Sequence, residues 1–200
     1  MKPGPSRPPA PHTTRYRAAA DIAVVVSRYN ASVTDRLRDG AVQAWASRRE
    51  ALGLGELTIV DAPGSFELSV LSAEAARTGR FAGVVALGCL VKGDTRHDEY
   101  IAHAVANGLT AVSIQTGVPV AFGLITALTP RQARDRAGGP RGNKGREAMD
   151  ALLDTLTALH ALRADDAVTP GAGAARPRPD KTLAPARRSP RSAARRSRGL

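Results

Sequence analysis

The chain has 200 residues, 42% of them hydrophobic, with a single cysteine and a formal net charge of +11; this suffices for one ordinary domain with chain to spare and leaves no intramolecular disulfide to form. Residues 1–20 carry +4 and residues 163–200 carry +7, while residues 21–162 hold fifteen basic and fifteen acidic side chains, so the middle of the chain has no basic excess to offer a nucleic acid. No segment approaches the ~18 apolar residues of a membrane span and MKPGPSRPPAPHTTRYR has no apolar stretch, which reads as a soluble, cytoplasmic protein.

Residues 1–20 are proline-rich and basic, and are expected to be disordered. DIAVVV (21–26) then opens a domain expected over 21–162. A helix is predicted from about Ser32 to Ala51, with Val33, Leu37, Ala41, Val42 and Trp45 on one side. ELTIV (56–60) is a second strand. After PGSFE a second helix carries Leu68, Leu71 and Ala75 and stops at Gly79, a natural left-handed cap. GVVALGCLV (83–91) leads to a third helix through Ile101, Ala104, Val105, Leu109 and Val112, and VPVAFGLIT (118–126) is the fourth strand. Thr129, Pro130 and Gln132 announce a short helix by N-cap, N1 proline and capping-box partner. The last helix spans roughly Lys144 to Leu162, with Met149, Leu152, Leu153, Leu156 and Leu159 inward. Residues 163–200, rich in Arg, Ala and Pro, are again expected to be disordered. Short, continuously apolar, β-branched strands alternating with helices predict an α/β fold: a doubly wound, flavodoxin-like, four-stranded parallel sheet flanked by helices on both faces.

In such a sheet ligands bind beyond the carboxyl ends of the strands. The first three strands end in SRYN (27–30), DAPGSFE (61–67) and KGDTRH (92–97), and the expected fold would bring these to one edge of the sheet. Gly93 allows a tight turn and close approach to a ligand, and Asp94 or Thr95 can cap the third helix, leaving peptide N–H groups for an anion such as phosphate. His97 falls in that helix's first turn, where the helix dipole disfavours imidazolium while Asp98 and Glu99 favour it. His103, six residues on, lies on a different face, so the two histidines make a poor metal site. His12 and His160 read as idle, and Cys89 as a structural buried thiol. In RDRAGGPRGNKGRE (134–147), Arg136, Arg141 and Lys144 among four glycines read equally well as a phosphate clamp or as a solvated helix-to-helix turn, and no Walker loop is present.

SRYNASVTDRL, APGSFEL, ALGCLVKGDTRHDEY, TGVPVAFGLIT and RAGGPRGNKGREA occur in the order and near the spacing of the 6,7-dimethyl-8-ribityllumazine synthase family, which the chain resembles over about residues 20–160. The resemblance implies a transferase of riboflavin biosynthesis that condenses 5-amino-6-(D-ribitylamino)uracil with 3,4-dihydroxy-2-butanone 4-phosphate, releasing phosphate and water, without metal or organic cofactor. It gives His97 the acid/base role, Tyr29 the stacking position on the pyrimidine, and the phosphate to Asp94, Thr95 and Arg136. Ser65, Phe66 and Glu67, with Cys89, Leu90 and Val91, match segments that hold the ring and ribityl chain. Phe122, Arg136 and Lys144 would come from a neighbouring subunit of a homopentamer, and a short 138–145 turn is similar to that of relatives forming sixty-subunit capsids. The chain departs from the family pattern at Tyr29, usually phenylalanine, at Lys92, commonly arginine, and at Pro140, often lysine. Two other readings stand beside this one: a container whose basic tails bind nucleic acid, and a flavodoxin-like binder of a preformed flavin or nucleotide that leaves His97 and Arg136 unused.

Overall fold

The computed structural model describes residues 20–167. Its elements are β1 (Ala20–Ser27), α1 (Ala31–Leu52), β2 (Leu54–Ala62), α2 (Leu68–Arg77), β3 (Phe81–Val91), α3 (His97–Thr116), β4 (Val120–Ala127), α4 (Pro130–Asp135), β5 (Ala137–Gly139), β6 (Gly142–Asn143) and α5 (Lys144–Ala167). β1 to β4 form one parallel sheet in the order β2-β1-β3-β4, the flavodoxin-like order.

The two central strands, β1 and β3, are almost wholly apolar because both of their faces are covered, whereas the edge strand β2 carries Glu56, Thr58 and Asp61 and is partly exposed. Ile22, Val24 and Val26 of β1 pack with Val85, Leu87 and Cys89 of β3 in one core that also holds Leu37 of α1 and Met149, Leu152 and Leu153 of α5. The alternate residues Ala23, Val25, Val84 and Ala86 join Leu68, Val105 and Leu109 of α2 and α3 in the other. The period of two is the pleat of a strand, and burial of each such Val or Leu contributes roughly 1.5–3 kcal/mol. Among the described residues no helix is long and apolar enough to cross a membrane.

Helix ends follow the punctuation in the sequence in part; α2 does not end on Gly79 as expected, but at Arg77, closed by Thr78 in the right-handed conformation with its N–H on the Glu74 carbonyl. Gly53 and Gly117 close α1 and α3 in the left-handed conformation, and Gly79, beyond α2, has φ 70. Thr129 caps α4, its Oγ1 accepting from the Gln132 N–H at 3.2 Å. The reciprocal capping-box bond shifts by one residue: Gln132 Oε1 accepts from the Leu128 N–H at 2.9 Å.

The 134–147 stretch contains structure that periodicity did not reveal. β5 and β6 pair as a small antiparallel hairpin turning through Gly138 and Gly142, at φ 94 and 82. Asn143 then starts α5, its Oδ1 accepting from the N–H of Gly145 and Arg146 while its Nδ2 donates to the Arg36 carbonyl at 2.8 Å. Gly145 lies against α1 so closely that a Cβ there would sit 1.9 Å from the Leu37 carbonyl oxygen. α5 runs on to Ala167, beyond the expected end at Leu162. The tails expected to be disordered lie outside the described residues except for Ala20 and this last stretch of α5.

Candidate active site

Strand order reverses between β1 and β3, and the crevice beyond their carboxyl ends is where a doubly wound sheet takes its ligand. β1 holds β2 for one residue past its end through Arg28 N–H to the Ala62 carbonyl, 2.8 Å. The chain then turns at Asn30, which adopts φ 63 and ψ 41, and Tyr29 is left 71% exposed at the rim. From β2, Pro63–Gly64 carries the chain to Ser65, buried, and Phe66, 59% exposed. β3 stays with β4 through Lys92 N–H to the Ala127 carbonyl, and the loop from Gly93 to Arg96 leads to His97, the exposed first residue of α3.

These three strand ends enclose a cavity of about 530 Å³. Of the residues expected at the site, Tyr29, Ser65, Phe66, Glu67, Leu90, Val91, Thr95 and His97 line it. Cys89 stands behind the wall, fully buried, and its carbonyl accepts a 2.9 Å hydrogen bond from Asn30 Nδ2. Asp94 is exposed on the loop between the two lining residues Gly93 and Thr95. Phe122 and Lys144 line a different cleft, of about 440 Å³, in which the Lys144 ammonium is paired with Glu147. Arg136 belongs to neither cavity; half-buried, it donates through Nη1 to the Gln132 carbonyl at 3.1 Å.

The cap of α3 is weaker than expected. Asp94 makes no capping bond, the N-cap position is Arg96, and only the Thr95 hydroxyl reaches the His97 N–H, at 3.4 Å. The two acids beside His97 are differently engaged. Arg96 grips Glu99 through Nη2 at 2.7 Å and Nε at 2.9 Å, and this guanidinium holds the Glu99 carboxyl below its ordinary pKa. Asp98 Oδ1 is buried without a protein partner, as is Ser65 Oγ, so two cavity-lining residues carry unused hydrogen-bonding capacity. Burial pushes the Cys89 thiol up to about 11, keeping it protonated and unreactive near neutrality. His103 lines a third cavity with Lys92 and Glu99, away from His97. Among the described residues no group of His, Cys, Asp and Glu could hold a metal.

Asn30, Gly64, Asp98 and Ile101 also line the main cavity and were not singled out from sequence as site residues. Asn30 had a readable signal: asparagine directly after a strand is among the few side chains that tolerate a left-handed turn. Asp98 and Ile101 had none beyond lying one turn apart at the start of a helix.

A surface aromatic at one strand end, a buried unpartnered hydroxyl at the second and an imidazole beside a glycine-bearing loop at the third can hold a flat polar ring near an anion and a movable proton. A sequence model of 6,7-dimethyl-8-ribityllumazine synthase matches residues 19–160. The chain is similar to 6,7-dimethyl-8-ribityllumazine synthase 1 of Caulobacter vibrioides, with 44% identity over 142 residues, covering 71% of this chain and 92% of that one. With the match extending across every strand and into α5, the chain belongs to the 6,7-dimethyl-8-ribityllumazine synthase family.

Proposed function

We propose that the cavity beyond β1, β2 and β3 is one half of the active site for the family's reaction, with His97 its acid/base group and a neighbouring copy of the chain supplying the other half. The enzyme is a 6,7-dimethyl-8-ribityllumazine synthase of riboflavin biosynthesis. It condenses 5-amino-6-(D-ribitylamino)uracil with 3,4-dihydroxy-2-butanone 4-phosphate and releases phosphate and water.

The chemistry assigns the residues. Joining an amine to a ketone as an imine expels water, which needs a proton delivered to the departing oxygen; loss of phosphate needs a proton taken from the adjacent carbon. One imidazole at the rim can do both in turn. Tyr29 offers a ring face to the pyrimidine. Ser65, Phe66 and Glu67 with Cys89, Leu90 and Val91 hold the ring and ribityl chain, chiefly through backbone groups. The peptide groups at Asp94 and Thr95, at the positive end of α3, take the phosphate. Holding two substrates in a reactive geometry supplies much of the rate.

The observation that carries the shared-site reading is the division of the expected residues. One set lines a single cavity, whereas Phe122, 48% exposed, and Lys144 line another, and Arg136 lines neither. Facing a second copy, those three complete the phosphate and ring contacts. In this reading the copies form a pentamer, twelve of which close into a cage in the cytoplasm. The basic tails, by charge alone, are assigned weak nucleic-acid binding, tested by comparing retention of full-length protein and a chain ending at Leu162 at two salt concentrations.

The activity test is His97→Gln. With folding unchanged, lumazine formation followed by absorbance is expected to slow on the order of 10²- to 10⁴-fold. A variant within a factor of two of wild type removes His97 from the chemistry.

A further inference from the structure

The last paired residues of β1 and β3 are Val26 and Leu87, while β3 continues beside β4 as far as Val91. Past Leu87, therefore, the third strand loses its neighbour on the β1 side just where its backbone forms a wall of the cavity. Asn30 Nδ2 reaches into that gap and donates to the Cys89 carbonyl at 2.9 Å, joining residues 59 apart in the chain. The reach depends on a backbone conformation that carries a steric penalty. Asn30 is the one non-glycine residue with positive φ among the described residues. The usual reason for asparagine before a helix is to cap it, yet this side chain makes no cap bond to α1; the backbone carbonyl of Asn30 instead accepts from Val33 and Thr34. Ser65 Oγ, which lies against Gly88 of β3, adds no hydrogen bond from the β2 side.

We propose that Asn30 is a positioning residue that sets the width of the slot for the pyrimidine, by tying the segment that bears Tyr29 to the β3 backbone at Cys89. The proposal rests on Tyr29 being the stacking group. The Tyr29 ring is 71% exposed and has little packing of its own, so its spacing from Leu90 and Val91 depends on the residue that follows it. The amide bond prolongs the β1–β3 partnership by one side-chain rung and holds the edge on which the ring and ribityl chain hydrogen-bond.

The test uses full-length Asn30→Gly, which keeps the left-handed turn but removes the amide, and Asn30→Asp, which keeps the shape but turns an acceptor toward the Cys89 carbonyl. Tyr29→Ala is measured in parallel. For Asn30→Gly, KM for the ribitylaminouracil is expected to rise about three- to tenfold, as loss of one orienting hydrogen bond permits, and for Asn30→Asp more. KM for the butanone phosphate and kcat should stay within about twofold. A residue that served only the fold would lower thermal stability and leave both KM values alone. If Tyr29→Ala raises the pyrimidine KM while Asn30→Gly does not, the positioning role is wrong and the site reading stands. If Tyr29→Ala leaves it unchanged too, the stacking assignment fails and the proposal with it. Should Asn30→Asp not fold, the glycine variant, whose backbone is unstrained, decides alone.

Discussion

Gly93→Ala should make the protein slightly more stable and a poorer enzyme. Gly93 does not adopt the left-handed backbone that would demand glycine, and a Cβ built there meets no protein atom within 4 Å. Alanine therefore fits the fold, and by narrowing the unfolded ensemble it should add roughly 0.4–1 kcal/mol of stability. The added methyl stands on the loop whose peptide groups are assigned to the phosphate. Lengthening or losing one hydrogen bond to a charged group costs about 1.5–3 kcal/mol, so KM for the butanone phosphate should rise about tenfold or more, with the ribitylaminouracil KM little changed. Thermal unfolding followed by the fluorescence of Trp45, the only tryptophan, gives the first quantity, and steady-state kinetics with each substrate varied in turn gives the second. A destabilisation above about 1 kcal/mol would mean that the loop needs glycine for its conformation. An unchanged phosphate-substrate KM would mean that the loop does not approach the phosphate.

Gly145→Ala has the opposite character. A Cβ 1.9 Å from the Leu37 carbonyl oxygen and 2.5 Å from its carbon meets backbone that cannot rotate away, so α1 and α5 must separate. A loss of about 3 kcal/mol or more is expected in denaturant titration, and a variant as stable as wild type would refute the packing. Cys89, fully buried, should resist thiol reagents in the native state at pH 8 and react on unfolding. Its folded pKa of about 11 lies above the ordinary 9.0, so the unfolded state loses the proton first as pH rises. The associated stability is complete below about pH 9 and falls as pH climbs toward the folded value. Between pH 8 and 10.5 wild type should lose about 2 kcal/mol more than Cys89→Ala, and parallel losses in the two would contradict this.

Particular residues show what the sequence could convey. The runs 22–26 of β1 and 83–91 of β3 announced two-sided burial because they contain no polar side chain, and the structure divides Ile22, Val24 and Val26 from Ala23 and Val25 between two cores. Gly53 and Gly117 close helices because glycine adopts the left-handed conformation without strain, and Gly79 just beyond α2 takes it too. The β5–β6 hairpin was hidden because it is too short to show a period, and its glycines and arginines also suit a solvated turn. The turn at Asn30 was readable, but its bond to Cys89 was not: it joins two strand ends through a side chain, and no local pattern encodes a contact over 59 residues. That the first three strand ends would line one cavity was legible, since the parallel topology brings those ends together. The expectation that Phe122, Arg136 and Lys144 come from a neighbouring copy rested on family resemblance, because local patterns do not encode contacts between copies.

The shared site is tested most directly by subunit mixing. His97→Ala and Arg136→Ala are each strongly impaired by this account, and neither subunit alone contains both intact groups. Co-assembled in equal amounts, an Arg136→Ala subunit brings its own His97 to a neighbour whose Arg136 is intact, so about a quarter of the interfaces in a randomly mixed ring regain both. Activity recovering toward that fraction, and absent when the separately assembled variants are merely combined, is the predicted result. Co-assembled particles with no activity above the two parents would place both residues in sites within one subunit and contradict the account.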